Sequence, residues 1–241
     1  MDLDGGNQFG VTHSPANDVS PSWSPDGSLI LFASDRDNNW EIYIVRPDGS
    51  DLKRLTTGPG ANSSPSWAWG GTRILFVSTR DAVNGELYLM DPDGSNVQRL
   101  TNDQAVKDSP VMSPDKQRII LTVNAEGLQT IASFPLPDGP MRVLTAAEYN
   151  SVNPCLSPDG GNILFASDRD GNLEIYSMTT SGDRQTRITR SADDEYGPVF
   201  VSTGGEILFS RRGGICLRSP DGISERILSA RGDRAPHWVG Q

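Results

Sequence analysis

Short apolar runs separated by turn residues fill this chain, and the first sixty residues show the pattern most clearly. Residues 29–34 form an apolar run bounded by Pro25-Asp26-Gly27 and by a charged loop, and residues 41–45 form a second run. Both runs are too short for a helix and rich in β-branched and aromatic residues, which predicts strands in the interior of a sheet. Residues 52–56 alternate polar and apolar side chains, as an outer strand with one wet face does. With a short segment at 21–24, these runs predict four strands, named A to D in chain order.

The same phrase recurs six times, anchored by a proline at intervals of 44, 45, 44, 44 and 38 residues. The anchor prolines are Pro21, Pro65, Pro110, Pro154, Pro198 and Pro236. Two residues after each stands a large apolar side chain, in order Trp23, Trp67, Met112, Leu156, Phe200 and Trp238. A period in the forties built from short strands is typical of a β-propeller, in which each repeat forms one four-stranded blade. The shared register of the apolar residues predicts that they fill the space between blades.

The repeat therefore predicts an all-β fold, a β-propeller with five complete four-stranded blades. The predicted blades span residues 17–56, 61–101, 106–145, 150–189 and 194–228. The third blade is the least regular, because Asn124-Ala125-Glu126-Gly127 replaces the charged loop between strands B and C. No linker or shift in composition interrupts the chain, so a single domain is expected over residues 1–241.

The two ends predict an incomplete sixth blade. Residues 1–12 align without a gap to residues 90–101, so they supply a strand D, and residues 233–241 supply a strand A. The two middle strands of that blade have no counterpart in the sequence. We expect a gapped sixth position, whose bare edges offer a place where another chain can associate. The economical hypothesis is that the chain is a piece of a longer protein, begun at an internal methionine.

Charge and cysteine content narrow the choice of partners. The net charge of −10 argues against nucleic acid, whose phosphates need a basic face, and no apolar run approaches membrane-spanning length. Cys155 and Cys216 fall on predicted strands of neighbouring repeats, without metal or redox spacing. Two buried free thiols are the favoured interpretation, and a disulfide stays open as the alternative.

Residues able to carry catalysis are sparse, so the sequence predicts no catalytic residue, no metal site and no cofactor. There is no Gly-x-Ser-x-Gly motif, and the only histidines are His13 and His237. Residues 168–172 place oxygen ligands on alternate positions, as calcium loops do, but the same phrase recurs at 35–38. Recurrence favours a structural role, in which the aspartates accept backbone N–H groups and the arginine pairs with a neighbouring blade. Calcium binding in these loops stays open.

The repeat resembles that of the TolB-type (WD-like) β-propellers, and the resemblance covers essentially the whole chain. It rests on Pro-x-Trp-Ser-Pro-Asp-Gly from Pro21, Ile-Leu-Phe-x-Ser-Asp-Arg-Asp at 30–37, Glu-Ile-Tyr at 41–43, Pro-Asp-Gly-Ser at 47–50 and Arg-Leu-Thr at 54–56. The resemblance implies a periplasmic or extracellular protein, since the founding member is a six-bladed periplasmic propeller that binds a peptidoglycan-associated lipoprotein. Similar repeats occur in prolyl-oligopeptidase-like peptidases and oligogalacturonate lyases, so the family implies the fold more strongly than one function.

Candidate binding residues lie just before the anchor prolines. If strands A to D run up and down in turn, the D–A and B–C connections share one face, and these residues ring the mouth of the central channel. They are Asp18, Asn62, Lys107, Asp108, Asn150, Glu195, Tyr196, Asp233 and Arg234. They differ between repeats, as recognition residues on a repeated scaffold do, although unconstrained loop drift would produce the same variation.

From this ring we predict a non-enzymatic scaffold that docks a protein or peptide on the channel-mouth face, in the cell envelope. The alternative is the propeller portion of a larger prolyl-oligopeptidase-like hydrolase or of a polysaccharide lyase.

Overall fold

The computed structural model describes residues 6–103, 105–125, 127–137, 139–201, 205–212 and 214–229. Over these residues the chain forms twenty β-strands in five four-stranded antiparallel sheets, each with its strands in the order A, B, C, D. The predicted all-β fold with five four-stranded propeller blades is therefore confirmed.

The strands follow the order of the predicted repeat, but strand D of blade one is limited to Lys53–Arg54 rather than residues 52–56. Blade one contains β1 (Asp18–Trp23), β2 (Ile30–Ser34), β3 (Glu41–Val45) and β4 (Lys53–Arg54). Blade two contains β5 (Asn62–Ala68), β6 (Arg73–Ser78), β7 (Glu86–Met90) and β8 (Gln98–Arg99). Blade three contains β9 (Val106–Met112), β10 (Arg118–Ala125), β11 (Leu128–Pro135) and β12 (Arg142–Val143). Blade four contains β13 (Ser151–Leu156), β14 (Asn162–Ser167), β15 (Glu174–Thr179) and β16 (Thr186–Arg187). Blade five contains β17 (Glu195–Val201), β18 (Glu206–Arg211), β19 (Gly214–Arg218) and β20 (Glu225–Ile227).

Helical structure in the described part of the chain is confined to one short 3₁₀ turn, Trp69–Gly71. No helix there has the length and apolar character needed to cross a membrane.

Strand A begins three residues earlier than predicted, because it contains a β-bulge. In β1 the pairing with β2 shifts between Val19 and Ser22, and Ser20 adopts a left-handed φ of 52°. The bulge accommodates Pro21, which has no N–H to offer the ladder. Equivalent left-handed residues precede the other anchor prolines, namely Ser64, Ser109, Asn153 and Gly197. The bulge thus extends every strand A into the segment that carries the candidate binding residues.

The core consists of strands B and C, and it lies between blades. One cluster joins Leu31 and Ile42 of blade one to Ile74, Phe76 and Met90 of blade two, all of them buried. The large residues after the anchor prolines are half-buried and pack against such clusters, as predicted; they are Trp23, Trp67, Met112, Leu156 and Phe200. Because four of the clusters combine buried residues of two consecutive blades, neighbouring blades stabilise each other.

Strand A is the innermost strand of each blade. The strands β1, β5, β9, β13 and β17 contact one another in succession, so that the blades follow each other around a common centre. Among the described residues, the extensive contacts between blades join consecutive blades, and none joins blade five to blade one.

The N-terminal segment lies against the C–D turn of blade one. A Cβ placed on Gly94, in the C–D turn of blade two, would lie 2.6 Å from the carbonyl oxygen of Leu55, which follows β4 of blade one. A Cβ placed on Gly49, in the same turn of blade one, would lie 2.7 Å from the carbonyl oxygen of Val11. Val11 thus lies against the turn of blade one as Leu55 lies against the turn of blade two, although residues 6–12 form no strand. The predicted strand A at 233–241 lies outside the described residues.

Candidate functional site

A stack of two aromatic rings and one arginine recurs inside three blades, next to the charged loop between strands B and C. In blade two the rings of Phe76 and Tyr88 stack with centroids 5.6 Å apart. The Cζ atom of Arg80 lies 5.4 and 5.0 Å from these centroids, and its Nε donates to Ser78 Oγ at 2.9 Å. The equivalent triplets are Phe32, Tyr43 and Arg36 in blade one and Phe165, Tyr176 and Arg169 in blade four. The arginine of the Ser-Asp-Arg motif is held within its own blade, so its predicted pairing with a neighbouring blade is wrong.

The two aspartates of the charged loop have different partners. In blade one Asp35 accepts the backbone N–H of Asn17 at 2.9 Å, as predicted. Asp37 instead accepts the hydroxyl of Tyr43 at 2.6 Å and a guanidinium N–H of Arg54 at 3.0 Å. Burial, together with the bond to the carboxylate, raises the pKa of Tyr43 to about 12. The same effect raises the pKa values of Tyr88 and Tyr176 to about 12. These aspartates therefore tie the loop to its own blade, which supports the structural interpretation over calcium.

A buried glutamate at the start of strand C joins blade two to blade three. Glu86 accepts hydrogen bonds from the hydroxyl of Thr101, the backbone N–H of Asp103 at 2.9 Å and Arg99 at 3.2 Å. Lys107 of blade three brings its Nζ to 3.0 Å from Glu86 Oε2, and both side chains are almost fully buried. Burial alone would raise the pKa of Glu86, but the bonds from Thr101, Lys107 and Asp103 outweigh it and lower the pKa. This junction is a buried ion pair with several additional donors.

A neutral amide takes the same position between blades one and two. Glu41 accepts from Thr56 Oγ1 at 2.5 Å and from Arg54 at 2.7 Å, within its own blade. Asn62 of blade two donates from Nδ2 to Glu41 Oε2 at 2.9 Å, while its Oδ1 accepts from Arg80 at 3.0 Å. An amide suits this place because it offers a donor to one blade and an acceptor to the other.

The junction of blades four and five combines two carboxylates. Glu174 accepts from Thr189 Oγ1 at 2.7 Å, from Arg187 at 2.7 Å and from the backbone N–H of Ser191 at 2.6 Å. Glu195 of blade five occupies the position of Asn62 and Lys107, and its Oε1 accepts from Arg211 at 2.8 and 2.6 Å. The side chain at this strand A position thus differs between the three junctions: it is an amide in blade two, an ammonium group in blade three and a carboxylate in blade five.

The glutamate and its arginine partner are present together or missing together. The strand registers align Glu41, Glu86 and Glu174 with Thr130 of blade three and Gly214 of blade five. They align Arg54, Arg99 and Arg187 with Val143 and Ile227. An arginine at position 143 or 227 would have no glutamate at the aligned strand C position, which holds Thr130 or Gly214. Val143 and Ile227 are exposed. The motif is therefore a unit of structure rather than a set of separate surface charges.

The structure divides the candidate binding residues into two groups. Asn62, Lys107 and Glu195 are buried in the junctions just described. Asp18, Asp108 and Asn150 are half-buried, and Tyr196 is 43% exposed. Asp233 and Arg234 lie outside the described residues. The pattern that sequence reasoning missed is the alternation of strand A, in which Asn62, Lys107 and Glu195 are buried while the next residues, Ser63, Asp108 and Tyr196, are half-buried or exposed.

The partly exposed candidates are also held in place by defined contacts. Asp18 forms an ion pair with Arg36 at 2.9 Å. Asp108 accepts the hydroxyl of Ser64 from blade two, so it too spans a junction. Asn150 donates to Asp168 from its backbone at 2.8 Å and from Nδ2 at 2.7 Å.

Metal-ligating side chains do not form a site in the described part of the chain. No three His, Cys, Asp or Glu side chains lie there in an arrangement that could hold a metal ion. His13 is exposed, and His237 lies outside the described residues. Cys155 and Cys216 are free thiols, as predicted, and burial raises the pKa of Cys155 to about 11.

Comparison with known proteins agrees with the repeat. The TolB beta propeller domain matches residues 1–158 and 102–239 of the chain. A curated relative, the Tol-Pal system protein TolB of Syntrophus aciditrophicus, is 43% identical over 53 residues, which are 22% of this chain and 12% of the relative. That match spans only a small part of the relative's length.

Solved structures share the whole architecture. TolB of Acinetobacter baumannii has a TM-score of 0.82 at 26% identity, over 93% of this chain and 57% of that chain. A TolB-type structure from Agrobacterium tumefaciens has a TM-score of 0.80 at 23% identity, over 93% of this chain and 87% of that chain. A gluconolactonase from Xanthomonas campestris, with a TM-score of 0.73 at 15% identity over 95% and 81% of the two chains, shows that enzymes also use the fold. With a family match that covers nearly all of its residues and a repeat that the structure bears out, this chain belongs to the TolB β-propeller family.

Proposed function

We propose that the protein is a non-enzymatic scaffold that docks a protein or peptide on the channel-mouth face. The observation that carries the proposal is a ring of five residues, each one position after a junction residue in strand A. The ring consists of Val19, Ser63, Asp108, Val152 and Tyr196. All five are exposed or half-buried, and four different side-chain types occur among them. The buried apolar residues of strand B recur from blade to blade while the ring itself varies, and this is the arrangement by which repeat proteins achieve specific recognition.

The framework under the ring is suited to holding a fixed binding surface. The ring residues lie on strands rather than on loops, and Glu41 and Glu86 bond blade one to blade two and blade two to blade three at the adjacent strand A residues. A binding surface on rigid elements loses little conformational entropy on association. Tyrosine contributes in particular, since aromatic residues often dominate the binding energy of an interface. Membership of the TolB family supports a location in the periplasm or outside the cell.

Peptide selection against the immobilised protein would test the docking face. Peptides enriched from a displayed random library are expected to bind the Tyr196→Ala variant at least about tenfold more weakly, a loss of roughly 1.4 kcal/mol, as for a tyrosine anchor. The matched control is Ile223→Ala, which removes a side chain that is 86% exposed in the C–D turn of blade five. If the peptides bound Tyr196→Ala as tightly as the wild type but no longer bound Ile223→Ala, the proposal would be refuted.

The proposal includes an incomplete sixth blade built by the two chain ends. Its support is the contact of Val11 with the C–D turn of blade one, where a strand D residue of the preceding blade belongs. The lack of extensive contacts between blades five and one, among the described residues, also leaves space for that blade. The unpaired edges on either side of the gap would be a second place for association with another chain.

Glycine substitutions would test the N-terminal part of the sixth blade. Gly49→Ala is expected to lower the free energy of unfolding by more than about 1 kcal/mol, because φ is +84° and the new Cβ would clash with Val11. In a chain that lacks residues 1–12, the same substitution should cost less, since only the φ strain remains. Gly94→Ala is the control, because its clash is with Leu55 and should not change on truncation. Equal costs of Gly49→Ala in the two chains would show that the N-terminal segment does not pack there.

A further inference from the structure

The junction between blades four and five has a carboxylate where two other junctions have a hydrogen-bond donor. Asn62 Nδ2 donates to Glu41 Oε2 at 2.9 Å, and Lys107 Nζ lies 3.0 Å from Glu86 Oε2. In blade five the equivalent residue is Glu195, and it belongs opposite Glu174 of blade four. Glu174 and Glu195 therefore place two carboxylates at this junction. The equivalent junctions between blades one and two and between blades two and three combine one hydrogen-bond donor with one acceptor.

Glu195 has one satisfied oxygen and one unsatisfied oxygen. The side chain is fully buried, and its Oε1 accepts both bonds from Arg211. Its Oε2 is the one buried side-chain nitrogen or oxygen in the described part of the chain that lacks a hydrogen-bond partner. A buried polar atom without a partner costs free energy, so this atom requires an explanation.

We propose that Glu195 carries a proton on Oε2 and shares it with Glu174, so that the pair joins blades four and five at pH values where an ordinary glutamate is ionised. The protonated oxygen then acts as the donor that Asn62 Nδ2 provides between blades one and two. The acceptor is available, because Glu41 Oε2 takes two donors in its junction, Thr56 and Asn62. Two carboxylates that share a site cannot both ionise without repulsion, so one of them retains its proton.

The groups around the pair assign the proton to Glu195. From its own blade Glu195 faces Arg211, which also binds Glu225, and the thiol of Cys216. From blade four it faces Glu174 and the Thr189 hydroxyl. Burial raises the pKa of Glu195, and the charge of Glu174 adds to this, against the opposing effects of Thr189 and Arg211.

Glu174 shifts in the opposite direction. Burial alone would raise the pKa of Glu174, but bonds from Ser191, Thr189 and Arg187 outweigh burial and lower the pKa. Neighbouring carboxyls whose environments push their pKa values apart take different protonation states. Glu195 is thus the acid of the pair and Glu174 its ionised acceptor.

The shared proton makes this junction sensitive to pH. The pKa of Glu195 is higher in the folded state than in the unfolded chain. Its protonated carboxyl therefore stabilises the protein fully at pH values below the glutamate pKa of the unfolded chain, about 4.3. This stabilisation is lost as the pH rises through the pKa of Glu195 in the folded state, because the native protein then releases the proton as well.

The test compares wild-type protein with Glu195→Gln in urea unfolding at several pH values from about 5 to 9. The amide is isosteric and supplies its donor at every pH, so the variant should keep its stability while the wild type loses it. The ratio of their unfolding constants is expected to change by up to about tenfold per pH unit within the titration window. Asn62→Glu should create the same pH dependence at the junction of blades one and two. Parallel pH profiles for all three proteins would overturn the proposal.

Infrared spectroscopy provides a readout that does not depend on stability. Native wild-type protein at about pH 6 should show the carbonyl band of a protonated carboxylic acid, and Glu195→Gln should lack that band. The wild-type band and the Asn62→Glu variant keep the proposal testable even if Glu195→Gln fails to fold. An absent band would refute the shared proton. Stabilisation of the wild type by added calcium chloride, missing in Glu195→Gln, would likewise refute it, since a cation would then take the place of the proton.

Discussion

Replacing Lys107 by methionine is expected to lower the free energy of unfolding by about 3 kcal/mol at neutral pH, the lower end of the range for removing one partner of a buried ion pair. Lys107 Nζ bonds to Glu86, Asp103 and the carbonyl oxygen of Ala105, and its side chain has no exposed surface. Methionine fills similar space but leaves Glu86 buried with one donor fewer. Urea unfolding followed by circular dichroism would measure the loss.

The chain itself suggests the matched control for Lys107. Lys107→Asn should cost only about 1 kcal/mol, the usual value of one hydrogen bond, since asparagine already fills this position opposite Glu41 in blade two. The penalty of Lys107→Met should shrink in acid. Because the pKa of Glu86 is lowered in the folded state, ionised Glu86 stabilises the wild type at pH values above the ordinary glutamate pKa. This stabilisation disappears as the pH falls through the pKa of Glu86 in the folded state. A loss within about 0.5 kcal/mol for Lys107→Met at neutral pH would contradict the buried-pair account.

Phe76→Ala is expected to destabilise the protein by about 3–5 kcal/mol, the usual cost of truncating a fully buried phenylalanine. Phe76 has no exposed surface and lies in the cluster that joins blades one and two. It also stacks on Tyr88 and lies under Arg80, so its removal opens a cavity beneath the charged loop. Thermal and urea unfolding would measure the effect, and an absorbance titration should show the pKa of Tyr88 falling from about 12 as water reaches the ring.

The control for Phe76 comes from blade three, which carries Leu121 at the equivalent buried position. Phe76→Leu should cost less than about 1.5 kcal/mol if the neighbouring side chains repack, as they do for hydrophobic swaps of similar volume. Equal losses for the leucine and alanine variants would show that the ring stack, rather than the filled volume, determines stability at this position.

Local pattern was enough to predict most of the strands. Strand C of blade one begins and ends at the predicted residues, because the run from Glu41 to Val45 is apolar, β-branched and bounded by polar loops. Strand A of blade one begins earlier than the sequence predicts. Pro21 predicts that the strand begins at the proline, because proline interrupts a strand unless a bulge accommodates it. The left-handed Ser20 that forms this bulge has no signal in the hydrophobic pattern.

The residues before the anchor prolines show where local reasoning stops. Their variation between repeats predicts recognition at the surface, yet Asn62, Lys107 and Glu195 are buried. Each of them bonds to or faces a glutamate 21 residues earlier in the preceding blade, so the pairing crosses from one sheet to the next. Variation at these positions reflects junctions that differ in chemistry, and the residues one position further along the strand are half-buried or exposed.

The sequence by itself determined the period, the number of complete blades and the order of strands, since these depend on short apolar runs and turn residues that act within a few positions. Only the tertiary structure decided which charges are buried between blades, that the Ser-Asp-Arg arginine stacks within its own blade, and that Val11 lies against Gly49. The physical reason is distance along the chain. These contacts form when separate blades pack around a common centre, and burial then gives each charge a partner that no local pattern specifies.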